Sequence, residues 1–320
     1  MSTMTFPTQP LGEEGFRHQA FFYANEREFV EGTTSFIHYA LGADEPILVV
    51  VGAEKIERLR RKLGGDARRV RFADMSVVGA NPARIIPTWE KFLREHAMPG
   101  RGVWGIGEPL SPGRSPAELV ECQRHESLLN VAFADSVGFR LLCPYDTGAL
   151  GADLIHEACC SHPTLVKNGT VRQSADYRGV EAAAAPFDEP LPEPVTAPDE
   201  LSFRGETLAA LRTFVAERAD RAGIRGERRD DVVLAVHELA ANTVRHAGGC
   251  GVLRTWEDGD ALIYEVCDDG RIERPLAGRE RPTPGQVGGY GLWVVNQLCE
   301  LVQLRSFQGG NVVRLHVARG

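Results

Sequence analysis

Residues Val232–Ala247 read VVLAVHELAANTVRHA. On an α-helix, Glu238, Asn242 and His246 fall four residues apart and form one stripe, drifting by roughly 40° per step. Val232, Val236, Leu239, Ala240 and Thr243 form a second stripe centred about 110° away. The helix therefore buries one side and carries a carboxylate, an amide and an imidazole along the flank of that side. Taken alone, the pattern is equally that of a solvated face beside a core.

Two later segments give it company. Leu262–Asp268, LIYEVCD, reads as a strand that runs into Asp268-Asp269-Gly270. A carboxylate at a strand end can form a pocket floor. Gly288-Gly289-Tyr290-Gly291-Leu292 then opens a helical pattern through Val295, Leu298 and Cys299. Glycines at a helix entry let backbone N–H groups approach a phosphate. Helix stripe, Asp-x-Gly and Gly-x-Gly-Leu, in that order over about Leu201 to Val317, resemble the Bergerat (GHKL) ATP-binding domain. Gyrase B, histidine kinases and the anti-sigma-factor serine kinases share that domain. GGYGLWVVNQL is most similar to the small anti-sigma type.

The resemblance implies roles. Glu238 would be the catalytic base that orients and deprotonates an attacking hydroxyl. Asn242 would offer its amide oxygen to Mg²⁺, a cation that takes hard oxygen ligands. Asp268 would accept from the adenine amine, and Gly270 would let backbone approach the base. His246, Gly289, Gly291 and Leu292 complete the expected ATP-binding set. The cofactors implied are ATP and Mg²⁺. Phosphoryl transfer rests on positioning and charge neutralisation, for which these parts suffice. The implied function is an anti-sigma-type regulator that sequesters a sigma factor and phosphorylates a serine of an anti-anti-sigma (STAS-type) partner. The alternative is an ATP-binding, ligand-sensing interaction switch without catalysis. Two positions depart from the family pattern: Ile272 stands where a second glycine is common, and Val312 where the last strand often carries Thr. Gly278–Gly288 reads as a lid, with Arg279 and Arg281 either contacting the γ-phosphate or carrying solvated loop charge. No phosphoacceptor-histidine helix pair precedes the domain; His237 belongs to the ATP helix.

The N-terminal half has a different rhythm. Pro46–Val51 reads as a strand buried on both faces. Helix Glu54–Leu63, strand Val70–Ala73, helix Pro82–His96, strand Val103–Ile106, helix Pro116–Ala134, strand Phe139–Cys143 and helix Asp153–Cys160 follow. Such alternation predicts right-handed crossovers and a doubly wound parallel sheet. The loop after the first of these strands, Gly52-Ala53-Glu54-Lys55, is no phosphate-binding loop. Ligands of open sheets sit at the carboxyl ends of strands. Those ends carry Asp74-Met75, Gly105–Glu108 and Pro144-Tyr145-Asp146. The segments RHQAFFYANEREFVEGTTSFIHYAL, RFADM, NPARIIPTW, GIGEP and SPAELVECQRHESLLNVAFA resemble the MEDS family of methanogen and methylotroph sensory domains. A small organic ligand is what that resemblance implies. Glu121, Cys122 and His125 share a helical spacing, with His18 and His38 upstream. Together they could ligate Zn²⁺, or form a polar helix edge around one buried thiol.

The expected division is a tail at 1–14, a sensory domain at 15–178, a linker at 179–199 and an ATPase domain at 200–320. The linker, EAAAAPFDEPLPEPVTAPD, has prolines too frequent for a continuous helix. The second domain should be an α+β pair of layers: three helices on four strands, with Asp230 or Asp231 capping the helix of Glu238. A net charge of −8 and the lack of a basic patch argue against direct DNA contact. Seven irregularly spaced cysteines form no disulfide framework and fit a reducing, cytoplasmic setting. MSTMTFPTQPLGEEG lacks the basic-then-apolar order of a signal peptide, and no apolar run reaches membrane-spanning length. Neither a membrane nor nucleic acid is an expected partner; a homodimer is compatible with all of this.

Overall fold

The computed structural model describes residues 15–182, 190–283 and 289–319. Two compact units divide the chain, one within residues 1–184 and the other within 185–320.

In the first unit the elements are β1 (Arg17–Tyr23), α1 (Glu26–Gly42), β2 (Ile47–Val51), α2 (Ala53–Leu63), β3 (Arg71–Asp74), α3 (Met75–Val78) and α4 (Ile85–His96). They continue with β4 (Val103–Gly107), α5 (Pro116–Ala132), β5 (Phe139–Asp146), α6 (Ala152–Ser161), β6 (Thr164–Lys167), β7 (Thr170–Gln173) and α7 (Gly179–Ala182). The sheet order is β3-β2-β4-β5-β1-β6-β7. Every pairing is parallel except β6 with β7. A doubly wound, mostly parallel sheet with one antiparallel edge strand is the observed architecture.

Three strands of this unit lie outside the sequence reading, β1, β6 and β7. The alternation was expected to start at Pro46, yet β1 lies in the middle of the sheet between β5 and β6. Its sequence, RHQAFFY, puts His18 and Gln19 into the interior, so it lacks the continuous apolar run of β2. The β6–β7 hairpin turns through Asn168 and Gly169, both at positive φ, the conformation a tight two-residue hairpin demands. Side chains alternate across the sheet. Phe21 and Tyr23 of β1 pack with Phe29, Phe36 and Ile37 of α1 and with Ile56 and Leu59 of α2. His18 and Ala20, each an odd number of residues from Phe21 and Tyr23, face the opposite side. There α5 lies, its N-terminus fixed by a Ser115/Glu118 capping box.

The second unit contains β8 (Asp199–Arg204), α8 (Leu208–Arg221), α9 (Gly226–His246), β9 (Cys250–Asp258), β10 (Ala261–Asp268), α10 (Tyr290–Leu298), β11 (Leu301–Phe307) and β12 (Gly310–Ala318). Its sheet runs β11-β12-β10-β9-β8, antiparallel throughout. The added fifth strand is β8, which pairs with β9. Leu211 and Val215 of α8, Val232, Val236, Leu239 and Ala240 of α9 and Val295 of α10 pack on Leu253, Tyr264, Val266, Val313 and Leu315. Asp230 and Asp231 do not cap α9; the helix starts a turn earlier, with Arg225 in the capping position.

Residues 183–189 of the expected linker lie outside the described residues. From residue 190 the chain is tied to the second unit. Leu191 is buried, Pro192 O accepts from Arg314 Nη2 at 2.9 Å and Glu193 accepts from Arg254 at 2.7 Å. Both arginines also hold the buried Glu265. The end of the Pro-rich stretch thus belongs to the fold that follows it. All seven cysteines are free. No helix among the described residues is long and apolar enough to cross a membrane.

Candidate functional site

Asp268 ends β10 on the side of the sheet that faces the helices, in step with Tyr264 and Val266. Its carboxylate is held from three directions. Oδ1 accepts from Gly270 N and from Asn311 Nδ2, each at 2.9 Å, and Oδ2 accepts from Thr243 Oγ1 at 2.6 Å. Asn311 lies opposite Asp268 in the β10–β12 register and opposite Ser306 in the β11–β12 register. Ser306 Oγ donates to Asn311 Oδ1 at 2.7 Å and accepts from Ile272 N at 2.8 Å. One cross-strand row therefore fixes the carboxylate. A carboxylate offers about four acceptor directions, so about one stays open on the Oδ2 side for an incoming donor.

Glycines make this corner tight. A Cβ on Gly270 would stand 2.6 Å from Ala247 Cβ and 2.8 Å from Asn311 Nδ2. At Gly310, φ is +118° and a Cβ would stand 2.1 Å from the carbonyl oxygen of Asp268. Gly310→Ala should therefore destabilise the second unit by about 2 kcal/mol, read as a lowered thermal midpoint. An unchanged midpoint would mean that the hairpin tolerates the side chain and that its approach to Asp268 is not constrained.

The stripe on α9 meets the start of α10. A Cβ on Gly291 would lie 2.6 Å from Asn242 Nδ2 and 3.2 Å from Glu238 Oε2, so both side chains abut the first turn of that helix. Gly289, at φ +87°, caps α10, and among the described residues it makes no side-chain cap bond to the first N–H groups, the kind of group that can receive an anion. Asn242 Oδ1 accepts from the exposed Arg245 at 3.1 Å, a partner that can swing away. Leu292 is half-buried and packs on the helix–sheet core. His246 is the last residue of α9 and exposed; no hydrogen bond among the described residues holds it to Asp268, Asn242 or Gly291.

Of the two loop arginines, Arg279 is buried and Arg281 exposed, so solvated charge describes Arg281 alone. Residues 284–288 of the expected lid lie outside the described residues. Gly278 O, at its start, accepts from Asn296 of α10 at 2.9 Å. Val312 is not the polar counterpart on the last strand. It pairs with Cys267 and points to the sheet face away from the helices, one residue out of step with Asn311. Thr243, Asn311 and Ser306 are the site residues that sequence reasoning missed. Thr243 reads as one more member of the buried stripe, and only the register reveals the other two.

In the first unit, the strand ends bring other groups together. Tyr23 Oη donates to Glu108 Oε1 at 2.6 Å, and Lys55 Nζ reaches the same oxygen at 2.6 Å and Tyr23 Oη at 2.7 Å. Burial pushes the Glu108 carboxyl up, against the pull of Lys55. Asp74 and Asp146 serve their own turns, accepting from Ser76 N and Gly148 N. The candidates Glu121, Cys122, His125, His18 and His38 are not assembled into one metal set. Cys122 Sγ donates to Pro109 O, Glu121 lies 4.0 Å from Arg124, and His38 is exposed on α1.

A family model described as the MEthanogen/methylotroph, DcmR Sensory domain (MEDS) matches residues 17–163. A second, for the histidine kinase-like ATPase domain, matches residues 201–317. The chain joins a MEDS domain to a histidine kinase-like ATPase domain. No curated protein matches it. Two solved structures overlap it in part. One contains the RsbU and RsbW domains of Rv1364c from Mycobacterium tuberculosis, with TM-score 0.30, 18% identity, and 38% of this chain and 32% of that one covered. The other is the Acinetobacter baumannii histidine kinase AdeS, with TM-score 0.25, 12% identity, and 38% and 68% covered. The chain spans about a third of the length of the first. A histidine kinase-like ATPase domain implies nucleotide binding. The close approaches at Gly270 and Gly291, the helix entry at Gly289 and the open acceptor on Asp268 are of the kind a nucleotide site uses.

Proposed function

We propose that the protein is a cytoplasmic anti-sigma-type regulator. Its ATPase domain binds Mg-ATP, sequesters a sigma factor and phosphorylates a serine of a STAS-type anti-anti-sigma partner. The MEDS domain modulates it through a small organic ligand at the carboxyl ends of its strands, beside Tyr23, Lys55 and Glu108. The observation that carries this reading is the placement of Glu238 and Asn242 against Gly291. It sets a carboxylate and an amide beside a helix entry whose N–H groups can receive phosphate. Asp268 would select adenine through its open acceptor, with Gly270 admitting the ring. Asn242 would hold Mg²⁺, turning its oxygen from Arg245. The metal, when bound, neutralises phosphate charge. Glu238 would take the proton of the partner's serine.

Incubating the full chain with γ-labelled ATP, Mg²⁺ and candidate STAS-type proteins tests the reading. Label on a partner serine supports it; nucleotide binding with no transfer to any bound partner overturns the kinase and leaves an ATP-gated interaction switch. Ile272 favours that second reading. It replaces a small residue beside the base, and its N–H is already engaged by Ser306.

The face of α9 can be tested separately. Asn242→Ala should lower ATP affinity in Mg²⁺ by about tenfold and remove its dependence on the cation. His237→Ala should leave both unchanged, because that side chain lies about 100° from Glu238. Calorimetry with and without Mg²⁺ decides. Equal losses in two folded variants would reject the assigned face. The full chain is needed, since truncation at Asp199 would remove the Pro192 and Glu193 contacts with the sheet.

A further inference from the structure

The buried side of the MEDS-domain sheet holds four groups that the nucleotide chemistry does not use. His18 of β1, Glu126 of α5, Cys143 of β5 and His162, the residue that caps α6, are each at most 1% exposed. One donor atom from each lies within 4.8 Å of the others. Glu126 Oε2 is 3.2 Å from His18 Nε2 and 3.2 Å from His162 Nε2, and Cys143 Sγ is 3.3 Å from His18 Nε2.

The outer contacts fix which ring nitrogens face inward. His162 Nδ1 stands 2.8 Å from the carbonyl oxygen of Ala158, which can only accept, so Nδ1 carries the proton. Asn130 donates from Nδ2 to Ser161 O at 2.7 Å, which turns its Oδ1 to His18 Nδ1 at 3.1 Å; that nitrogen also carries the proton. In the neutral rings both Nε2 atoms are therefore bare lone pairs, and both point at a carboxylate oxygen. Four electron-pair donors converge in the buried interior. Glu126 Oε1 and Tyr145 Oη, both buried in the same region, have no hydrogen-bond partner among the described residues. Tyr145 stands edge-on to the His162 ring at 5.5 Å and follows Cys143 by two residues on the same face of β5.

We propose that His18, Glu126, Cys143 and His162 form a tetrahedral Zn²⁺ site at the centre of the MEDS domain. Zinc bonds of about 2.0–2.1 Å meeting at the tetrahedral angle put nitrogen and oxygen donors roughly 3.3 Å apart, close to the spacings found. Charge closes as well: one thiolate and one carboxylate neutralise the dication, and two neutral imidazoles complete it. Binding displaces the Cys143 thiol proton to solvent. Without a cation, burial and the neighbouring Glu126 push that thiol well up, so the proton stays on sulfur. Second-sphere bonds from ligating histidines to a carbonyl or amide oxygen are the usual device for orienting such rings, and Ala158 and Asn130 supply them here. Two His, one Cys and one Glu, the four His, Cys, Asp or Glu side chains clustered there among the described residues, describe a closed, structural or regulatory site. The set differs from Glu121, Cys122 and His125, which the helical spacing of α5 brought forward; Glu126 lies one residue beyond them and its partners come from three other elements.

The test is metal analysis of the full-length protein, purified without chelator or refolded with Zn²⁺ alone. About one equivalent of zinc per chain is expected. Cys143→Ser and His162→Ala should each retain less than about a tenth of it, and Asn130→Ala should bind about 10–100-fold more weakly. Should those variants fail to fold, wild type refolded with Co²⁺ serves instead. It should show intense tetrahedral d–d bands and a thiolate charge-transfer band. No zinc in the wild type after refolding, zinc content unaltered in folded Cys143→Ser, or a Co²⁺ spectrum without the thiolate band would each overturn the site.

Discussion

Glu238→Gln lowers transfer of the γ-phosphate to the partner serine by about 10²–10⁴-fold and leaves ATP affinity unchanged. The glutamine keeps the shape of the side chain, and with it the packing of α9 against Gly291. What it loses is the capacity to take a proton. A base acts on the attacking hydroxyl as the transition state forms, so its removal shows in the turnover number and hardly in ground-state binding. Single-turnover transfer beside a direct binding measurement separates the two. A variant that transfers as fast as wild type would remove Glu238 from the chemistry. A variant that loses binding and transfer together would make it part of the nucleotide pocket instead. The result is informative only if wild type transfers phosphate, which is the experiment set out for the proposed function.

How far the sequence reaches differs between the two halves. In the ATPase domain the boxes are local: a carboxylate and an amide one helical turn apart, an Asp-x-Gly at a strand end, a Gly-x-Gly at a helix entry. Each is set by short-range geometry, so it could be read directly that Glu238 and Asn242 share one helix face, Asp268 ends a strand and Gly291 opens a helix. What could not be read is pairing across the sheet. Asn311 matters because the register sets it opposite Asp268 and Ser306, and Val312, its neighbour, faces the wrong side. A one-residue step decides the face of a strand, and sequence alone does not fix that step.

The MEDS domain hid more, for a related reason. Strand β1 pairs with residues more than a hundred positions away, and its buried His18 and Gln19 mask its apolar character. Asn168-Gly169 is a hairpin signal, but the strands it joins are four residues each, too short for alternation to mark them. The helix α5 buries Glu121, Cys122, His125 and Glu126 on one stretch, so its polar residues lie inside and amphipathic reading fails. Spacing along a helix selects neighbours on that helix. It cannot select Cys143 and His162, which other elements carry to the same point.

Asp268→Asn shifts the base preference of the nucleotide pocket away from adenine and weakens ATP binding by more than about 100-fold. The argument follows the hydrogen bonds. Gly270 N and Asn311 Nδ2 both donate to Oδ1, so the amide oxygen of an asparagine must take that side. Its NH₂ then occupies the Oδ2 position, facing Thr243. Thr243 Oγ1 can still be satisfied, because it also lies 3.3 Å from Leu239 O: the hydroxyl donates there and accepts from the new amide. The fold is therefore kept, and the acceptor left open in wild type becomes an N–H. Against an adenine amine this sets donor against donor. It removes a hydrogen bond to a charged group, about 1.5–3 kcal/mol, and leaves a buried N–H unsatisfied, about 1–3 kcal/mol more. Guanine presents a carbonyl oxygen at the same ring position, which the new N–H can meet. GTP should therefore lose less than ATP, and the ratio of the two affinities should fall by at least about tenfold. Calorimetry of both nucleotides on folded wild type and variant reads the ratio. If ATP and GTP weaken in equal proportion, Asp268 only supports the pocket wall, and selection of the base lies with another group.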